Sequence, residues 1–128
     1  MASKWRVVVL CAAIAALGAG GRQGVELNGV MRSKLVHAQK MLAAVVTNNW
    51  FALETQTREL EQLTQDPRWT ILRYPEYAKH SAAFVRALQD LHTAAAQRDL
   101  EKTPQAYVAV TLQCVDCHRY LARERLAK

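Results

Sequence analysis

This sequence predicts an all-α chain, an antiparallel up-down-up-down four-helix bundle. Three observations predict it. Gly and Pro are scarce, at 5 and 3 of 128 residues, while the good helix formers Ala, Leu, Gln and Arg are abundant. From about Val25 onward, four segments carry apolar residues at steps of three and four, the period of one helix face. The connections between them are mostly short, which makes consecutive helices antiparallel neighbours. The length suits one domain.

Residues 1–20 read as a signal peptide preceding a four-helix-bundle domain at residues 21–128. Lys4 and Arg6 form a positive start, Val7 to Leu17 an apolar core, and Gly18 to Gly21 a run of small residues where cleavage is expected. The apolar core is too short to span a bilayer comfortably, so no membrane span is expected after cleavage. Of the three cysteines, Cys11 lies inside this leader. Removing it leaves an exported chain whose two remaining thiols, Cys114 and Cys117, lie three positions apart. Loss of Lys4 and Arg6 takes the net charge from +6 to about +4.

The first helix is expected from about Val25 to Thr47, with Leu27, Met31, Leu35, Ala38, Leu42 and Val45 on its inward stripe. Thr47, Asn48 and Asn49 break it. The second runs from about Trp50 to Gln65 on Trp50, Leu53, Leu60 and Leu63, with Thr57 and Thr64 at the same spacing. Asp66-Pro67 ends it, because Pro cannot continue the hydrogen-bond ladder and disfavours helix in the residue before it. The loop over 66–75 is unusually apolar, with Trp69, Ile71, Leu72 and Tyr74, and is expected to pack over the bundle. Pro75 in the first turn, followed by Glu76, starts the third helix. Tyr77, Ser81, Phe84, Leu88, Leu91 and Ala95 form its seam. Thr103 as N-cap and Pro104 behind it start the fourth, whose seam is Tyr107, Val110, Cys114, Cys117 and Leu121.

That seam carries Cys114, Val115, Asp116, Cys117 and His118. The C-x-x-C-H spacing is that of a c-type haem attachment site. Two thiols can add across the two vinyl groups of haem to form thioethers. The imidazole next in the chain then lies within reach of the iron as proximal ligand. On a helix, positions 114, 117 and 118 share one face, so the three converge on one ligand. Other chemistries fit less well. A thioredoxin-like pair needs a βαβ setting; a zinc site needs a second Cys/His cluster; a disulfide across two residues within a helix is poor geometry. The predicted bundle therefore holds a covalently attached haem c and its iron, filling much of the core.

A signal peptide, a four-helix pattern and C-x-x-C-H near the C-terminus together resemble a class II c-type cytochrome, the cytochrome c-prime family, over roughly residues 25–125. The resemblance implies a periplasmic haem protein with thioethers at Cys114 and Cys117 and with His118 as proximal ligand. It also implies one of two behaviours. Six-coordinate low-spin members place a methionine of the first helix on the iron and carry electrons. Five-coordinate members leave the distal face open and bind small gases such as nitric oxide or carbon monoxide. The stretch Val30 to Leu35, V-M-R-S-K-L, resembles the low-spin branch, with Met31 at the place of the distal ligand. A soft thioether suits haem iron and raises its potential, although a Met on an apolar stripe equally serves as core filling.

The other candidate donors are placed less favourably. Met41 falls off the stripe and is expected against a neighbouring helix, His37 at the surface, and His80 and His92 at the edge of the third-helix seam. Arg32 and Lys34 can pair with the two haem propionates as charge-assisted donors, or simply extend into water. The sequence shows no distal His–Arg arrangement of a peroxidase, so no enzyme is expected. Basic residues are dispersed among helices rather than clustered beside aromatics, which argues against nucleic acid. Arg119, Arg123, Arg125 and Lys128 follow the motif and could steer an acidic redox partner protein; they equally suit the negative end of a helix dipole. Relatives of this family often pair as homodimers through the first two helices.

Overall fold

The computed structural model describes the backbone of residues 2–126 and the side chains of residues 24–124. It is all-helical, with four helices: α1 (Ala2–Val46), α2 (Trp50–Leu63), α3 (Pro75–Ala96) and α4 (Lys102–Leu126). α1 packs on α2, α2 on α3 and α3 on α4, and α4 closes back on α1 over the smallest of the four contacts. That ring of neighbours is consistent with a four-helix bundle.

α1 is continuous from Ala2 instead of beginning near Val25. Glycines 18, 20, 21 and 24 each lower helix propensity by about 1 kcal/mol relative to Ala, but no Pro interrupts the ladder. The side chains of the expected signal peptide at residues 1–20, and of Arg125 and Lys128, lie outside the described residues. Among the described residues, no helix is long and apolar enough to cross a membrane.

The two asparagines after α1 have separate tasks. Asn48 takes a positive φ of 52°, the left-handed region that Asn tolerates better than most residues. Asn49 then caps α2, its side-chain oxygen accepting from Ala52 N at 3.0 Å. Between α2 and α3, Asp66 accepts hydrogen bonds from the Arg68 backbone N–H at 2.8 Å and from its guanidinium at 2.9 Å. These bonds hold the Asp66 carboxyl down to about 2 and turn the loop so that Trp69 points inward, 3% exposed. Tyr77 Oη donates to Trp69 O at 2.5 Å, and Trp69 Nε1 donates to Ser81 Oγ. Trp69 therefore packs over the bundle as expected, while Ile71 and Leu72 are only half-buried and Tyr74 is 48% exposed.

The start of α4 differs from expectation. Asp99, not Thr103, caps it: Oδ1 accepts from the backbone N–H of Glu101 at 3.0 Å and of Lys102 at 2.8 Å. An ionised carboxylate is the better acceptor at the positive end of a helix, and these bonds lower the Asp99 pKa. Thr103 is buried instead, with its hydroxyl unpartnered among the described residues. Pro104 sits in the first turn, where no backbone donor is needed.

The core consists of Val30, Met41, Ala44, Leu53, Leu60, Trp69, Phe84, Leu88, Leu91, Ala95 and Val110. Seams of α2 and α3 match the sequence periodicity. On α1 the inward face is rotated: Val30, Lys34, Met41 and Ala44 are buried, whereas Leu35 and Leu42, expected inside, are 59% and 47% exposed. Adjacent substitutions test this. Met41→Ala is expected to cost about 2–5 kcal/mol, as for buried large-to-small changes, and Leu42→Ala within about 0.5 kcal/mol of nothing, read by urea denaturation. Equal costs would restore the unrotated face.

Candidate haem site

One end of the bundle, between the first described turns of α1 and the last turns of α4, holds a partly open cavity of about 490 Å³. Its size lies within the roughly 300–1,000 Å³ usual for cofactor sites. α1 contributes Leu27, Asn28, Met31 and Lys34; α3 contributes Tyr77, His80, Ser81 and Phe84; α4 contributes Cys117, His118, Leu121 and Ala122; Trp69 arrives from the loop. Residues far apart in sequence converge here because α1 and α4 close on each other with α3 and the loop behind them.

Of the residues predicted from the motif, Cys117 and the exposed His118 reach the cavity and Cys114 does not line it. Cys114 and Cys117 are free and half-buried. Cys114 packs against the core one turn inward, its thiol directed to Val110 O at 3.4 Å. Cys117 and His118 line the cavity, and burial pushes the Cys117 thiol pKa up, opposed by Lys34. Met31 faces the same cavity from α1. It is only partly buried and packs against the core edge, so both the ligand and the filler readings of Met31 place it on this wall.

Three other histidines are now placed. His80 lines the cavity, which its position beside the α3 seam did not reveal; its ring lies 5.3 Å from that of Tyr120. His37 is not at the surface as expected: it is half-buried against α2, with Nδ1 2.9 Å from Gln56 Oε1 and 3.5 Å from Glu59 Oε2. It is inward because the α1 face is rotated. His92 lies at the edge of its seam, 3.1 Å from Thr57 Oγ1. Met41 is fully buried in the core, away from the cavity lining.

The residue that sequence reasoning left at the margin is Lys34. It is 7% exposed, with Nζ 3.7 Å from the Phe84 ring centroid and 4.8 Å from that of Trp69. Burial lowers its pKa. The signal was present as the Val30–Lys34–Met41 spacing, but a charged residue at its centre disqualified that stripe. Arg32, its neighbour, is exposed.

Among the described residues, no three His, Cys, Asp or Glu side chains form a group able to hold a metal ion. A haem would bring most of the iron's donors with it, so the protein would need to supply only one or two more. The donor set suits that division: an imidazole on one wall, a thioether on another, two thiols one helical turn apart, and apolar or aromatic surface for the rest. In comparisons with known proteins, no family model matches the chain, and no curated protein or solved structure matches it significantly.

Proposed function

We propose that this chain is an exported, periplasmic c-type cytochrome that carries single electrons, an antiparallel up-down-up-down bundle around one haem. Cys114 and Cys117 would hold the haem as thioethers, His118 would be its proximal ligand, and Met31 its distal ligand. One observation carries the reading. Met31, Cys117 and His118, chosen from the sequence for haem chemistry, all line the cavity between α1 and α4.

When bound, the haem supplies an iron that cycles between ferrous and ferric. The residues around it do the rest. Tethering on α4 sets the group beside His118 without a separate binding equilibrium. Met31 offers a soft sulfur, which favours ferrous iron and raises the potential. Trp69, Phe84, Leu27 and Leu121 form a wall with little to offer water, which keeps the local dielectric low and tunes the potential upward. The Trp69–Ser81 and Tyr77–Trp69 hydrogen bonds fix the loop that closes this wall. Arg119 and Arg123, exposed beyond the motif, give the α4 end a positive rim for an acidic redox partner.

The second reading is a five-coordinate protein that binds nitric oxide or carbon monoxide. A further hollow of about 290 Å³ lies beside the main cavity and shares Tyr77 and Ser81 with it. Visible spectra of the matured, purified protein separate the two. The electron-carrier reading expects a low-spin spectrum in both oxidation states, unchanged by carbon monoxide. A high-spin ferrous spectrum that shifts at once with carbon monoxide selects the gas binder. A colourless protein from a host that matures such cofactors rejects both.

A further inference from the structure

Lys34 is a largely buried cation with no acidic partner among the described residues. It is 7% exposed, and its ammonium lies over the Phe84 and Trp69 rings. The ion pairs among the described residues join His37 to Glu59, Arg68 to Asp66, Lys79 to Glu76 and Lys102 to Asp99. None includes Lys34, and no Asp or Glu lines its cavity. Ring faces attract a cation, but they do not replace the water and counter-charge that a buried ammonium loses.

We propose that Lys34 is an anion seat within the cavity, and that the anion it receives is a carboxylate of the bound cofactor. This rests on the haem reading above, in which that carboxylate is one porphyrin propionate. The porphyrin brings two carboxylates with it. Arg32, by contrast, is exposed and does not line the cavity.

The test uses the haem-loaded protein as wild type, Lys34→Met and Lys34→Arg. The readouts are the midpoint potential, redox-difference infrared spectra in the carboxylate region, and the visible spectrum. Removing a buried positive charge near the iron favours the more positive ferric state. Lys34→Met is therefore expected to shift the reduction equilibrium toward ferric about tenfold, 59 mV for one electron, and to move one carboxylate band. Lys34→Arg should retain both wild-type values, because it keeps the charge and the fork that carboxylates accept. Lys34→Met replaces an amine by an apolar group of similar length, so folding is expected to survive.

An unchanged potential and unchanged carboxylate bands in coloured Lys34→Met overturn the pairing alone. Loss of the six-coordinate spectrum in Lys34→Met overturns it differently, by placing the amine on the iron. A wild-type protein that takes up no haem overturns the cytochrome reading, and this inference with it.

Discussion

Replacing both motif cysteines, Cys114→Ala with Cys117→Ala, is expected to abolish covalent haem and to lower the melting temperature by roughly 15–25 °C. The first effect follows from chemistry: neither position retains a thiol to form a thioether. The second follows from the cavity. A cofactor filling the space of about 490 Å³ at one end of a small bundle would pack on the half-buried Leu27 and Leu121 and on the edges of Trp69 and Phe84 that line it. A cofactor held at an effective concentration about a thousandfold above its dissociation constant stabilises the native state by about 4 kcal/mol. In a domain of somewhat over 100 residues, each kcal/mol moves the midpoint by roughly 4–6 °C. The alanines themselves disturb little, because both cysteines are only half-buried. Haem staining of a denatured sample, mass spectrometry and a circular-dichroism melt measure the result. A variant that melts with the wild type would show that the bundle does not depend on its cofactor.

Met31→Ala is expected to leave haem attached while changing its ligation. Cys114, Cys117 and His118 all lie on α4, so they do not depend on α1 for attachment. The variant should turn from low-spin to high-spin, bind carbon monoxide in the ferrous state, and fall in potential by on the order of 100 mV, within the ≈ 0.8 V range over which axial ligands act. Met31 is half-buried at the margin of the core, so packing loss should be modest and the melt close to that of the wild type. An unchanged visible spectrum would make Met31 a wall residue. His80 and Lys34, which line the same cavity, would then be the next donors to substitute.

The candidate site was legible to unequal degrees. Cys114, Cys117 and His118 could be placed on one helix face because their separations are local, and a helix converts local spacing directly into direction. Met31 was legible as a cavity-facing residue for the same reason. Lys34, Trp69 and His80 were not. Trp69 sits in a loop, where no period tells inside from outside; its burial comes from the Asp66–Arg68 turn and the bonds to Tyr77 and Ser81. His80 lies beside its seam rather than on it. It becomes a cavity residue only because α4 ends alongside it, as its contact with Tyr120 shows.

The cap of α4 teaches a related lesson. Thr103-Pro104 is a sound local start signal, yet Asp99 prevails through two backbone bonds, because a charged acceptor competes better for the same exposed donors.

By itself, then, the sequence determined that this chain is helical, where its four helices break, and which face of α4 carries the two thiols and the imidazole. Those properties depend on neighbours within one or two turns. The rotation of α1 was decided by tertiary structure, as was the burial of Lys34 over Phe84 and Trp69. On α1, two overlapping apolar stripes were available, and periodicity could not rank them. Packing did: the stripe with Val30, Met41 and Ala44 fits the core of α2 and α3, and Lys34 is carried inward with it.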